Sequence, residues 1–197
     1  MAVTLNIINA LCELYSLGLT TLTGGAGAFS ACTVLSNTLA LIASGIYLVS
    51  RRYPPLRKSA DHLRCFATVC LSLTFLTVVF VLVPMMSHGD IVSSAKAMLL
   101  SREMVFHHLI CPVLSFGSFV FWEDHYLRTK DAVKALVPTI MSGLVTGTAN
   151  ALGVMEGPYP FLRVPDQPWW QSVLWACLIL SVNFLVAKML VKAHKHG

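Results

Sequence analysis

The amino-acid sequence predicts an all-α integral membrane protein: one domain of six transmembrane helices, with both termini in the cytoplasm. Three observations carry this. Of 197 residues, 56% are hydrophobic and only 12% charged, where soluble domains carry about 25% charged residues. Six stretches are apolar over the roughly 20 residues a helix needs to cross hydrocarbon. The cations are divided unevenly between the two sets of connecting loops.

The spans follow in order. The first, about 4–23, has no basic leader and no clear cleavage site, so it reads as a retained span and not a removed signal peptide. TGGAGA separates it from a second span at about 29–50, and the basic loop RRYPPLRK leads to a third at about 64–86. The SHGD region precedes a fourth at about 104–122, a fifth covers about 133–154, and EGPYPFLRVPDQP introduces a sixth at about 169–191. No second domain, internal repeat or low-complexity tract interrupts them.

The loops after the second and fourth spans, with the C-terminal end, hold Arg51, Arg52, Arg57, Lys58, Arg64, Arg128, Lys130, Lys134, Lys188, Lys192 and Lys195. The opposite side holds only Lys96, Arg102 and Arg163. This positive-inside bias places both termini in the cytoplasm. The same clustering explains the net charge of +5 by topology and argues against a nucleic-acid partner, for which no motif is present. Six cysteines (Cys12, Cys32, Cys65, Cys70, Cys111, Cys177) fall within or beside apolar segments and read as small core residues.

Helical periodicity gives each span a polar inward stripe. Span 1 carries Asn6, Asn9, Glu13, Ser16 and Thr20, and span 2 carries Ser30, Thr33, Asn37 and Ser44, with Ser36 adjoining. His107, Cys111, Ser115 and Ser118 line span 4; Thr139, Ser142, Thr146 and Asn150 line span 5. Gly143 and Gly147, one turn apart, predict a close helix–helix contact. Glu13 stands out, because a carboxyl near mid-span is expensive unless neutral or paired. It belongs either to a structural network or to a site.

FHHLICP, residues 106–112, puts two histidines and a proline inside the fourth span. An intramembrane imidazole is a functional-site candidate by default. His107 lies on the polar stripe, while His108 is turned about 100° away and shares its face with Pro112. Pro112 cannot donate to the His108 carbonyl, which predicts a kink. His107 and Thr33 both lie about four residues from the outer face, near 6 Å deep. His88 and Glu103 with His107 match no zinc spacing, so no metal is expected. His62, His125, His194 and His196 read as solvated. Tyr159, Trp169 and Trp170 read as an interfacial aromatic belt, and the prolines of GPYPFL make a rigid lid at Tyr159 and Pro160 the other reading of that turn.

CTVLSN in the second span, HHLICP in the fourth and GPYPFL before the sixth resemble motifs of the androgen-induced-protein-like family, small bacterial relatives included. The resemblance covers roughly residues 29–191. It implies a six-span intramembrane hydrolase of fatty acyl esters in a bacterial plasma membrane, with Thr33 as nucleophile, His107 as base, a membrane-lipid substrate and no cofactor. The base would take the hydroxyl proton and return it to the leaving alkoxide. Ser36 and Asn37 are candidate oxyanion donors, and His108 is the alternative to His107. Cys32 beside Thr33 opens an acyltransferase reading. A third reading, a small transporter or lipid-binding protein, would route Glu13, His107 and Asn150 along a polar path.

Overall fold

The computed structural model describes residues 1–25, 32–157 and 159–193. Ser30, His194, Lys195, His196 and the start of the expected second span lie outside the described residues. Among the described residues every regular element is helical: α1 (Ala2–Gly24), α2 (Cys32–Ser50), α3 (Arg57–Thr77), α4 (Val83–Met85), α5 (Ile91–Leu99), α6 (Cys111–Phe121), α7 (Asp131–Lys134), α8 (Val137–Ala151) and α9 (Trp169–Ala193). Among the described residues, five helices are long and apolar enough to cross a membrane: α1, α2, the Pro54–Met85 rod built on α3 and α4, the Asp131–Ala151 segment of α7 and α8, and α9. Phe106–Phe121 is apolar but shorter.

Proline explains two irregularities. The rod from α3 to α4 passes through a π turn at Val78–Leu82 before Pro84, and α6 is preceded by a π turn at Phe106–Ile110 before Pro112. In both, the residue before the proline donates five residues back, Val83 to the Val78 carbonyl and Cys111 to the Phe106 carbonyl. A proline without an N–H frees a carbonyl one turn earlier, and the wider π turn absorbs the mismatch. The break expected at FHHLICP is therefore a π turn that contains both histidines. Pro138, at the start of α8, separates it from α7 in the same region.

The bundle is inside-out by polarity. Ile7, Leu11 and Leu14 of α1 and Val173, Leu174, Leu185 and Met189 of α9 are exposed, whereas Asn6, Asn9, Glu13, Ser16 and Thr20 are buried. In lipid, apolar surface supplies no drive for helices to meet, so small residues and interhelical hydrogen bonds must hold them. Ala40 and Ala43 of α2 pack on Ala67 and Leu71 of α3. A second cluster joins α3, α6, α7 and α9 through Cys65, Phe119, Ala132, Ala187 and Leu190. A third, Val78, Leu82, Val83 and Phe161, closes the opposite end.

Arg64 and two histidines depart from expectation. Arg64 is not a solvated loop cation: α3 starts at Arg57, not 64, and carries Arg64 fully buried into the bundle. There its guanidinium donates to Glu123, with Nε at 3.1 and 3.0 Å from the two oxygens and Nη2 at 2.8 Å. Asn6 at 2.8 Å and Ser118 at 2.7 Å also donate to Glu123 Oε1. The Arg64 charge holds the Glu123 carboxyl below the usual range, against burial, which pushes the other way. His125 is buried, stacked on Phe119 with centroids 3.7 Å apart. His62 is half-buried and reaches Asp131 at 3.4 Å.

Candidate functional site

Thr33 lies in α2, and its amide has a side-chain partner across the bundle. Tyr159 supplies the partner. Its hydroxyl lies 2.9 Å from Thr33 Oγ1 and accepts from the Thr33 N–H at 3.3 Å. Burial pushes the Tyr159 phenol up to about 12, so it stays neutral and can donate. Its ring stacks on Phe161, which is held in turn by Trp175. Tyr159 is thus not part of a lipid-facing belt, whereas Trp169 and Trp170 are exposed at the start of α9. Pro160 begins the short turn Pro160–Leu162 that carries Phe161.

A cavity of about 300 Å³ opens beside this pair, with Cys32, Thr33, Thr74, Thr139, Tyr159 and Trp175 in its wall. Its lining is overwhelmingly apolar, and its volume is at the small end of the ~300–1,000 Å³ usual for ligand sites. Gly143 and Gly147 line it as well, and a Cβ added to either would meet nothing within 4 Å. Among the described residues the expected close helix contact does not form at these glycines; they line the cavity instead. Gly143 and Leu144 on α8 and Ala176 on α9 line the cavity and are exposed, so it opens sideways between those helices.

His107 faces the bundle interior, 1% exposed. Its Nε2 lies 2.8 Å from Thr20 Oγ1 and its Nδ1 3.4 Å from Ser16 Oγ. Ser16 donates its own proton to the Glu13 carbonyl at 3.2 Å. It therefore accepts from Nδ1–H, leaving Nε2 unprotonated toward the Thr20 hydroxyl. Among the described residues no hydrogen bond joins His107 to Thr33. Asn37 links their main chains instead, donating to the Thr33 carbonyl at 2.7 Å and the His107 carbonyl at 3.5 Å. His108 turns away and bonds the Met98 carbonyl at 2.6 Å, tying the π turn to α5.

The other expected residues divide between these two centres. Ser36 donates to the Thr33 carbonyl at 2.9 Å and meets Thr74 at 3.1 Å. Glu13 is fully buried one turn from Ser16 and interacts with Cys111. Asn150 lies away from both Glu13 and His107. Its side chain accepts from Val164 N–H at 2.7 Å and donates to the Met155 carbonyl at 3.0 Å, pinning the loop that bears Tyr159. Replacing Asn150 with Ala is expected to cost about 1–3 kcal/mol by stranding those groups, read as a lower midpoint of thermal unfolding.

Ser16 and Thr20 were legible as parts of a polar stripe but not as imidazole partners. The signal was their spacing, four residues, which spans one side of a facing ring. No group of three or more His, Cys, Asp or Glu positioned to hold a metal ion occurs among the described residues. No family model, curated protein or solved structure matches the chain.

Proposed function

We propose that this protein is an intramembrane hydrolase of fatty acyl esters, with Thr33 as the nucleophile and His107 as the base. The observation that carries the reading is the Thr33 hydroxyl in the wall of an apolar cavity open sideways between two membrane-length helices. Such a cavity suits an acyl chain arriving from hydrocarbon, with its ester at the polar end beside Thr33 and Tyr159. The similarity of CTVLSN, HHLICP and GPYPFL to the androgen-induced-protein-like family supports the same chemistry.

In this reading Thr33 Oγ1 attacks the ester carbonyl carbon as its proton passes to His107 Nε2. The carbon–oxygen bond to the alcohol then breaks, and the imidazolium protonates the departing alkoxide. Water repeats the sequence on the acyl-threonine and frees the fatty acid. The Thr33 N–H and the Tyr159 hydroxyl are the oxyanion donors. Substrate entry must draw Nε2 from Thr20 to Thr33; catalytic hydrogen bonds commonly tighten only in the substrate complex. The chain has six spans, Phe106–Phe121 being the shortest, with both termini cytoplasmic and a bacterial plasma membrane as its location. The basic loops support that orientation.

A second reading, acyl transfer through Cys32, is favoured by its place in the same cavity wall beside Ser142. A fluorescent fluorophosphonate decides between them. Hydrolase chemistry predicts labelling of wild type and of Cys32→Ala, with loss of about 100-fold or more in Thr33→Ala and His107→Ala. Labelling lost only in Cys32→Ala selects acyl transfer, and loss in Thr20→Ala but not Thr33→Ala makes Thr20 the nucleophile. Folded wild type that takes no label overturns the hydrolase.

A further inference from the structure

At the end of the bundle that carries the basic loops, a cleft of about 480 Å³ lies between the start of α3, the 126–130 loop and α7. Five cations line it: Arg57 and Lys58 from α3, Arg128 and Lys130 from the loop, and Lys134 from α7. Two carboxylates share it, and both are already engaged. Asp131 binds Lys134 Nζ at 2.6 Å, the Arg128 N–H at 2.8 Å and His62 at 3.4 Å, and Asp61 accepts the Tyr126 N–H at 3.4 Å. Among the described residues no carboxylate pairs with Lys58, Arg128 or Lys130.

The cleft is built, not merely decorated. Asp131 is buried and fixes the turn from the loop into α7, and the Arg57 guanidinium lies 5.7 Å from the Tyr126 ring centroid, which orients it at the rim. Exposed Tyr53, Phe121, Trp122 and Tyr126 stand at the same end, the residue types that mark the headgroup level of a bilayer. Three unpaired cations at that level, in a concavity beside apolar helices, suit an anion that is itself held at the membrane surface.

We propose that this cleft binds the phosphate of an anionic phospholipid, its glycerol and acyl chains lying against the outer faces of the bundle. Basic clefts at the ends of membrane helices recognise lipid headgroups through such charges. Cations serving topology alone need only lie on the correct side of the membrane and need not converge. The proposal does not depend on the chemistry at Thr33.

The test uses the full-length protein in nanodiscs of phosphatidylcholine doped with phosphatidylglycerol, with bound lipid read by native mass spectrometry. Wild type is expected to retain phosphatidylglycerol. The triple variant Lys58→Ala, Arg128→Ala, Lys130→Ala is expected to lose about tenfold or more of that enrichment. The control triple Arg52→Ala, Lys188→Ala, Lys192→Ala, at the same end but outside the cleft, is expected to keep it. Equal loss in both triples, or no enrichment in wild type, overturns the site. Displacement of the lipid by inorganic phosphate overturns the lipid assignment in favour of a free anion. Should the triple fail to fold, Arg128→Gln and Lys130→Gln, both at exposed positions, are each expected to lower retention about fivefold; unchanged retention in both overturns the proposal.

Discussion

Arg64→Ala is expected to destabilise the folded protein by about 3–5 kcal/mol, the cost of leaving a buried charge without its partner. Glu123 would remain buried with Asn6 and Ser118 as donors but without the guanidinium that neutralises it. Glu123→Ala strands Arg64 in the same way. The double replacement Arg64→Met with Glu123→Leu is expected to recover most of the loss, because well-packed apolar side chains often match or exceed a buried ion pair. Thermal unfolding of the purified protein in one detergent measures all three. A loss under ~1 kcal/mol in both single variants would place the pair in the class of exposed ion pairs and overturn the burial argument.

The same pair has a pH signature of fixed sign. The folded-state pKa of Glu123 lies below its ordinary value, so its contribution is fully present above the ordinary Glu pKa of about 4.3. It is lost only as pH falls through the lower, folded value. The stability gap between wild type and Glu123→Gln should therefore stay level from neutral pH to about 5 and narrow only in more acid solution.

What the sequence made legible follows from how far apart the interacting residues lie. The polar face of α1 recurs every three or four residues, and Asn6, Asn9, Glu13, Ser16 and Thr20 are all buried; one helix carries the whole signal. Pro112 announced a break, but not that the break would be a π turn. Arg64 looked like one more cation of a basic loop, because its partner Glu123 is 59 residues away and no local pattern links them. Thr33 and Tyr159 are separated by 126 residues, and a tyrosine beside a proline near a span end has the composition of an aromatic belt. Gly143 and Gly147 show why spacing alone is ambiguous. Small residues one turn apart permit either a neighbouring helix or an empty volume, and only the path of α9 decides between them.

Gly157→Ala is expected to abolish the Thr33–Tyr159 contact. A Cβ on Gly157 would stand 2.5 Å from the Leu162 carbonyl oxygen, 2.7 Å from its carbon and 2.9 Å from the Arg163 nitrogen. All three are main-chain atoms of the loop that carries Tyr159, so no side chain can swing aside and the loop itself must open. Overpacking of this kind costs about 1–3 kcal/mol, but the consequence for the site is larger than for stability. Tyr159 is held by its stacking on Phe161, within the segment that must move, and Asn150 holds the loop at its two flanks, through the Met155 carbonyl and the Val164 N–H. Once the loop opens, the Thr33 amide and hydroxyl lose their shared partner. If Tyr159 stabilises the oxyanion, the variant should fold, bind ligand in the cavity and react with a fluorophosphonate about 10²–10³-fold more slowly. Tyr159→Phe, which keeps the ring and removes the hydroxyl, should reproduce the rate loss with little change in stability. Slow labelling in Gly157→Ala combined with wild-type labelling in Tyr159→Phe would reduce Tyr159 to a wall of the cavity and remove it from the chemistry.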